Sequence, residues 1–344
     1  MSVELTEADR HIYDTELRGF LPEKILDAHV HLFDAACLVP NPNFAEKSVY
    51  RKFGCVFPYE QMLAWAADLL PGQTFAVNAF GQPSFDTDLE RAANYCGRIV
   101  DNERCFGMAL VAPSDTAETV IDRVTRNRLI GYKPYLTFVQ GKPKNDITIF
   151  DMLPEAQMAA ADERGLAITL HIPREGRLAD PVNQQQMVDL CRRYPNTAII
   201  FAHIGRAYYM RNVTGFLDGI AACDNAYIDT AMVNHEGVLE YAFRHFPRER
   251  IIFGSDAPIA FLRGKSVEIN NQYAYLMGED YAIGSAIYDA AHAVRFTFSY
   301  YEQLRGIRLA AERAGLSRLE IENLFYNTAF HLFRGIAKRN YGKH

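Results

Sequence analysis

The chain has 344 residues, of which 49% are hydrophobic and 23% are charged. This apolar content is sufficient for a packed core and excludes an intrinsically disordered protein, while the length allows two ordinary domains or one large one. The formal net charge of −6 excludes a dedicated nucleic-acid-binding protein with a basic face, and no run reaches the ~20 apolar residues of a membrane-spanning helix.

Eight short apolar runs, punctuated by Gly or Pro, predict eight β-strands. In chain order they cover residues 25–32, 75–80, 105–112, 129–136, 166–172, 197–204, 226–231 and 251–256. Helical patterns separate them, as in 154–164, where Pro154 suits a first turn and Gly165 a C-terminal cap. Apolar strands that alternate with helices indicate a parallel sheet covered by helices. Eight such units predict a closed (β/α)₈ TIM barrel of the α/β class, with an open doubly wound sheet as the alternative.

Several segments stand outside this repeat. Residues 1–20 are predicted to form an N-terminal helical arm and residues 21–344 the barrel domain, whose tail from about residue 286 is helical and closes the fold. Residues 33–74 and 257–285 are long and mixed, and they would emerge at the C-terminal mouth of the barrel, where the active sites of this fold lie. The arm could dock on a partner subunit, so a homo-oligomer is one alternative.

The cysteines and the N-terminus bear on the cellular compartment. The six cysteines form no C-x-x-C pair, which predicts reduced thiols buried as small hydrophobic side chains. The chain begins with acidic, polar residues, whereas a secretory signal begins with a basic stretch followed by an apolar one. Both observations favour a cytoplasmic protein.

Four histidines and one aspartate fall at or near the C-terminal ends of predicted strands. His29 and His31 are two residues apart on the first strand, so both side chains point to one face, the barrel interior. His171 ends the fifth strand, His203 the sixth and Asp256 the eighth. In a barrel, these five side chains would converge at one mouth.

A single histidine in an apolar strand is ordinarily a hydrogen-bonded core residue, and an H-x-H pair alone occurs by chance. The joint placement of five such residues at one end of the barrel favours a metal site instead. Imidazole nitrogens with one carboxylate suit Zn²⁺, Mn²⁺ or Fe²⁺. We therefore predict one divalent metal ion, with zinc favoured and manganese or iron as alternatives.

The sequences around these five residues form a set of motifs. The first strand carries D-x-H-x-H, and the later strands carry ITLHIPR, IIFAHIGRA and IIFGSDAP. Together they resemble the amidohydrolase superfamily, and more narrowly the amidohydrolase-related branch, which includes aminocarboxymuconate-semialdehyde decarboxylase and 2-pyrone-4,6-dicarboxylate lactonase. The tail segment ENLFYNTAFHLFRG also looks like the closing helix of that branch. The resemblance spans residues 25 to about 335, and it is specific to the superfamily but not to a substrate.

The resemblance implies a role for each of the five residues. His29, His31, His171 and Asp256 would hold one divalent metal ion, and His203 would be an acid/base or substrate-polarising residue. A bound ion lowers the pKa of its water toward ~7 or polarises a substrate oxygen. Asp256 can then accept the proton of that water, and His203 can orient, or donate to, the oxygen on which charge develops.

Lys133, near the end of the fourth predicted strand, allows a second arrangement. Binuclear members of the superfamily carry a carboxylated lysine there that bridges two metal ions, and His171 with His203 would then bind the second ion. The favoured interpretation is a cationic Lys133 that pairs with a substrate carboxylate or an internal acid.

Three arginines follow the site histidines closely. Arg174 follows His171 by three residues, Arg206 follows His203 by three, and Arg177 lies just beyond Arg174. An arginine fork suits a carboxylate, which predicts that Arg174 and Arg206 bind a small anionic organic substrate. Each arginine could instead bond a loop carboxylate.

These predictions combine into a metal-dependent hydrolase that cleaves a C–O or C–N bond of a small carboxylated lactone or amide-like substrate with metal-activated water. The alternative keeps the same site but removes CO₂ non-oxidatively from an aromatic or dienyl carboxylic acid. The sequence HIGRA looks closer to the lactonase-like members, whereas decarboxylases of the branch more often carry an acidic residue after the glycine. A non-catalytic barrel that retains metal is a third interpretation, disfavoured because all five positions hold competent residues.

Overall fold

Eight parallel strands follow one another in chain order around a barrel in the computed structural model, which describes residues 3–53 and 55–342. The first two residues of the predicted arm and the last two of the predicted barrel domain lie outside the described residues. The strands are β1 (Lys24–His31), β2 (Thr74–Phe80), β3 (Cys105–Val111), β4 (Gly131–Pro134), β5 (Ala167–Leu170), β6 (Ala198–Phe201), β7 (Ala226–Asp229) and β8 (Ile251–Ile252).

The ring closes between β1 and the residues that follow β8. Ala28 N–H donates to the Phe253 carbonyl at 2.9 Å, and His31 N–H donates to the Ala257 carbonyl at 2.8 Å. The predicted (β/α)₈ barrel is therefore confirmed, and the open-sheet alternative is wrong.

Helices lie between the strands and after them. The helix Glu155–Arg164 shows how local sequence sets its bounds, because it follows Pro154 and ends where Gly165 takes a left-handed φ of 57°. Among the described residues, none of the helices combines the length and apolarity that a membrane span requires. The helices are Glu7–Ile12, Val49–Lys52, Tyr59–Leu69, Leu89–Ile99, Ala117–Arg126, Ile149–Met152, Glu155–Arg164, Pro181–Arg193, Met210–Val213, Asp218–Ala221, Glu236–His245, Ser299–Ala314, Arg318–Glu322 and Thr328–Tyr341.

The N-terminal segment is helical, as predicted, and it is fastened to the barrel of its own chain. Asp9 is fully buried and accepts hydrogen bonds from Arg263 at 2.8 Å and from the Thr297 hydroxyl at 2.5 Å. Burial raises the pKa of Asp9, but these hydrogen bonds outweigh it, so the pKa lies below its usual value. An ionised Asp9 therefore holds the arm against the loop that follows β8.

A small sheet occupies the segment after β8, which did not fit the repeat. Its strands are β9 (Gly264–Ile269), β10 (Gln272–Met277) and β11 (Ala286–Tyr288). β9 and β10 form an antiparallel hairpin whose two-residue turn is Asn270–Asn271, both with positive φ. Asparagine tolerates that conformation, which matches the twist of a hairpin. The predicted helical tail from residue 286 is consequently wrong over its first part, since the helix begins only at Ser299.

All six cysteines are free thiols, and five of them are buried. This agrees with the prediction of reduced cysteines that pack as small hydrophobic side chains.

Candidate metal centre

The two histidines of β1 present the same ring nitrogen to the barrel mouth. His29 Nδ1 donates to Asp229 Oδ2 at 2.8 Å, and His31 Nδ1 donates to the Gly81 carbonyl at 2.8 Å. Since each acceptor can only accept, Nδ1 carries a proton in both rings, and Nε2 keeps its lone pair whenever the ring is neutral. Burial lowers the pKa of His31 to about 4, whereas for His29 the carboxylates of Asp229 and Asp256 outweigh burial and Lys133 and raise the pKa. Both Nε2 atoms are therefore available as metal ligands.

Asp256 completes a close group with these two rings. Its Oδ1 lies 3.3 Å from His29 Nε2 and 3.2 Å from His31 Nε2. Asp256 follows β8 instead of ending it, in a left-handed conformation with φ 70°, and its N–H donates to the His29 carbonyl at 2.9 Å. Gly254 permits this approach, because a Cβ there would lie 2.7 Å from that of His29. Burial raises the pKa of Asp256, but the neighbouring histidines outweigh it and hold the pKa well below its usual value.

His203 lies within the predicted strand 197–204, but β6 ends at Phe201. His203 follows it in a left-handed turn, with φ 57°. Its Nδ1 donates to the Ala231 carbonyl at 2.9 Å, so Nε2 is left as a proton acceptor. Burial lowers the pKa of His203 to about 4. The neutral ring therefore carries its proton at Nδ1 and presents an acceptor at Nε2.

His171 lies in the same cavity but apart from the close group. In the described part of the chain, the sets whose ligand atoms all lie within 4.8 Å of one another are His29, His31 and Asp256, and His29, His203 and Asp229. His171 belongs to neither set, although its ring centroid is 5.3 Å from that of His203. Its Nδ1 is buried and has no hydrogen-bond partner among the described residues, and burial holds the pKa of His171 well below the usual value.

Asp229, at the end of β7, is a site residue that the sequence analysis missed. It is fully buried and accepts hydrogen bonds from His29 Nδ1, from His203 N–H at 2.7 Å and from Ala231 N–H at 3.1 Å. These groups outweigh the effect of burial and lower the pKa of Asp229. One ionised carboxylate thus orients the ring of His29 and anchors the backbone at His203. The signal that could have found it is its place near the end of the predicted strand 226–231.

Lys133, on β4, lies among the candidate ligands rather than among the arginines. Its Nζ is 2.8 Å from His29 Nε2 and 3.3 Å from His31 Nε2, and it stands over the Phe80 ring at 3.8 Å from the centroid. Burial lowers the pKa of Lys133 to about 7, although Asp256 and Asp229 oppose that shift. Lys133 also lines the cavity, so its pairing with a substrate carboxylate or an internal acid stays a prediction beside this contact with the histidines.

This position leads to a prediction about metal affinity. Lys133→Met removes a cation that competes with a metal ion for the two Nε2 atoms, so we expect the affinity for one zinc ion to rise about tenfold. Competition with a chelating dye and elemental analysis would measure affinity and stoichiometry. Lys142→Met, at an exposed lysine paired with Asp151, is the control. A fall from two metal ions to one in Lys133→Met would contradict this result and identify a carboxylated, bridging lysine.

The loop arginines differ in what they contact. Arg174 Nε donates to Asp180 Oδ1 at 2.9 Å, and the Arg174 side chain does not line the cavity. Arg174 is thus paired with a loop carboxylate, which is the alternative that the sequence left open for each arginine. Arg206 does line the cavity, with Nη1 anchored on the Ile172 and Arg174 carbonyls. Arg177 lines it as well.

These residues surround a cavity of about 230 Å³ at the C-terminal mouth. Its donor set fits a divalent ion, because the Nε2 atoms of two histidines and an ionised carboxylate converge there, and the buried Nδ1 of His171 has no partner in the described part of the chain. The residues that line it are His29, His31, Tyr50, Pro83, Lys133, Tyr135, His171, Arg177, His203, Arg206, Tyr208, Met232, Asp256, Ile259, Tyr273, Ile283 and Gly284.

Solved structures with the same fold include several enzymes. A 5-carboxyvanillate decarboxylase from Sphingomonas paucimobilis is 15% identical, with a TM-score of 0.55 over 91% of this chain and 99% of that one. A second 5-carboxyvanillate decarboxylase, from Novosphingobium aromaticivorans, is 13% identical, with a TM-score of 0.52 over 92% of this chain and 96% of that one. That structure is a complex with manganese and a nitrobenzoic acid. A Pseudomonas putida protein provisionally named a 2-pyrone-4,6-dicarboxylic acid hydrolase is 18% identical, with a TM-score of 0.51 over 92% and 99%.

The curated proteins include no significant match to the chain. The sequence model of one family, described as Amidohydrolase, matches residues 26–276. This match covers more than half of the chain and agrees with the resemblance seen in its motifs. The chain therefore belongs to the amidohydrolase family.

Proposed function

We propose that the protein is a metal-dependent hydrolase that cleaves a C–O or C–N bond of a small carboxylated substrate, a lactone or an amide-like compound. The observation that carries this proposal is a pair of unprotonated proton acceptors, Asp256 and His203, in one cavity. A hydrolase needs such acceptors to take a proton from attacking water. A decarboxylase needs a proton donor for carbon, which neither residue is in the state described above.

The metal would be held by His29, His31 and Asp256, with His171 beside them. Zinc is favoured by the imidazole-rich donor set, and manganese or iron are the alternatives. When bound, a divalent ion supplies Lewis-acid chemistry that polarises an oxygen in the site.

The side chains around this centre would supply the proton acceptors and the hydrogen-bond donors of the reaction. Asp256 Oδ2 has no hydrogen bond from any residue that the structure describes, so it is free to accept a proton from water. His203 Nε2 is a second acceptor, and the His203 ring lies 5.3 Å from that of His171, centroid to centroid. Arg206, whose Nε and Nη2 donate to no described residue, supplies donors for the oxygen on which negative charge develops.

A specific observation keeps decarboxylation as a second candidate. Lys133 has a pKa of about 7, so its ammonium is able to give up a proton near neutral pH and could deliver it to a carbon. The similar decarboxylase structures are compatible with this reaction.

Product analysis separates the two reactions. Zinc- or manganese-loaded protein would be incubated with 2-pyrone-4,6-dicarboxylate and, separately, with 5-carboxyvanillate, while acid release and headspace CO₂ are measured. We expect ring opening of the lactone with release of acid and no CO₂. Release of CO₂ from 5-carboxyvanillate without any lactone opening would overturn the proposal in favour of the decarboxylase. No turnover of either compound would contradict the proposed substrate class.

A further inference from the structure

A groove lies beside the cavity at the mouth of the barrel. It has a volume of about 440 Å³, and the segments that follow β1, β2, β4 and β8 form its walls. Five residues line both the groove and the cavity, namely Tyr50, Pro83, Ile259, Ile283 and Gly284. The two spaces are therefore continuous, and a molecule held at the candidate metal centre has a second space into which it can extend.

The groove differs from the cavity in charge. Of the described residues that line it, none is a lysine, an arginine or a histidine, and Asp86 is the one acidic residue. Both oxygens of Asp86 are engaged, since Oδ1 accepts from the Asn43 N–H at 2.9 Å and Oδ2 from the Ser84 hydroxyl at 3.4 Å. Where the two spaces meet, burial holds the pKa of Tyr50 well above its usual value, so this phenol is neutral. An anionic group of a ligand would therefore meet no positive charge in the groove.

Apolar side chains from three segments line the groove. Phe44 and Val49 come from the segment after β1, and Phe85 comes from the loop after β2. Ile259 and Ile283 follow β8 and lie where the groove meets the cavity. Phe85 is 68% exposed, and a large aromatic ring left in water gains free energy when a ligand covers it. The groove therefore suits an uncharged, apolar group.

The volumes of the two spaces support the same division. Ligand pockets ordinarily enclose about 300–1,000 Å³, whereas the cavity at the metal centre has only about 230 Å³. The groove, with about 440 Å³, brings the combined space into that range. A ligand that fills both spaces would have its polar end in the cavity and its apolar end in the groove.

We propose that the substrate carries an uncharged aryl or alkyl group that passes between Tyr50 and Ile283 and binds in the groove. The inference rests on the proposed function for the reacting, carboxylated end of the substrate, which stays in the cavity. It makes the substrate two-ended, with its charge at the metal centre and its apolar group against Phe85. The enzyme would consequently select extended acids over compact ones.

Binding of unreactive acids tests this inference independently of turnover. Isothermal titration of the zinc-loaded protein would compare benzoate with biphenyl-3-carboxylate and biphenyl-4-carboxylate, which add an uncharged ring in two directions. We expect the better of the two biphenyl acids to bind at least about tenfold more tightly than benzoate, because the second ring leaves water for an apolar surface.

Two variants of the groove locate the second ring. Ala282→Trp, at an exposed position on the groove wall, places a large side chain in the groove. It should remove the gain in affinity and leave benzoate affinity within about twofold. Phe85→Ala removes one apolar contact and should lower the affinity for the better biphenyl acid about threefold.

Leu319→Ala is the matched control for Phe85→Ala, because Leu319 is 62% exposed and belongs to the helix Arg318–Glu322, outside the groove. It should keep the full gain in affinity. Equal affinities for benzoate and both biphenyl acids, a gain that survives in Ala282→Trp, or no binding of any of the three acids at millimolar concentrations would each overturn the inference. Circular dichroism would show that the variants are folded. Groove-dependent binding of a biphenyl acid without lactone hydrolysis would contradict the proposed reaction alone, and lactone hydrolysis without a groove-dependent gain would contradict the inference alone.

Discussion

Asp256→Asn is expected to lower kcat/KM by about 10³- to 10⁴-fold while the barrel stays folded. The amide cannot accept a proton as the carboxylate does, and it removes the negative charge that faces both Nε2 atoms of His29 and His31. Both losses act on the activation of water, because the Asp256 carboxylate is proposed both to accept the proton and to help bind the metal ion. Steady-state kinetics on the lactone, with metal content measured on the same sample, would test this.

The control for Asp256→Asn is Asp218→Asn, which makes the same chemical change at an exposed helix residue far from the histidines in sequence. It should leave kcat/KM within about twofold. If Asp256→Asn retained near-normal kcat/KM with a full complement of metal, Asp256 would not be the base. His203 would then be the remaining acceptor in the cavity.

The barrel could be predicted from sequence because its signal repeats. Eight apolar runs of similar length, each followed by a helical pattern, leave few arrangements that bury every run. The interior position of His29 and His31 followed from the alternation of strand side chains alone. The ends of the strands were less predictable, because His203 and Asp256 continue apolar runs in sequence but lie in left-handed backbone.

The contents of the cavity depend on contacts that sequence spacing does not encode. Arg174 and Arg177 are equally plausible substrate ligands by position. Only the folded loop shows that Arg174 pairs with Asp180, whereas the buried Nη1 of Arg177 has no hydrogen-bond partner among the described residues. The place of Tyr273 in the cavity wall was hidden in the same way, because it depends on the hairpin between β9 and β10.

Asp229→Asn is expected to weaken metal binding about 10- to 100-fold, which is the usual effect of removing a carboxylate that orients a metal-binding histidine. Asp229 accepts the Nδ1 proton of His29 and, through its other oxygen, the N–H groups of His203 and Ala231. An amide has one oxygen and cannot satisfy both sides. If its NH₂ group faces His29, the ring must carry its proton on Nε2, and that nitrogen is then closed to a metal ion. Competition between the protein and a chelating dye would measure the affinity.

Asp27→Asn is the control for this orienting effect. It makes the same chemical change at another buried acid, on β1, and so shows how much metal affinity is lost merely by altering a buried carboxyl group. Asp27 is also fully buried, but the backbone N–H groups of His29 and Ser255 both donate to its Oδ1, and no histidine ring donates to it among the described residues. Burial raises the pKa of Asp27 to about 7, so a large share of this carboxyl group is protonated and neutral near pH 7. The neutral amide of Asn therefore changes the charge at this position less than it does at Asp229. We therefore expect metal affinity within about threefold of the unmodified protein in Asp27→Asn. Equal losses in the two variants would mean that Asp229 supports the barrel and does not set the His29 tautomer. A loss of metal affinity in Asp229→Asn alone would make the Asp229 carboxylate part of the metal centre. By accepting the Nδ1 proton, it leaves the unprotonated Nε2 of His29 facing the cavity.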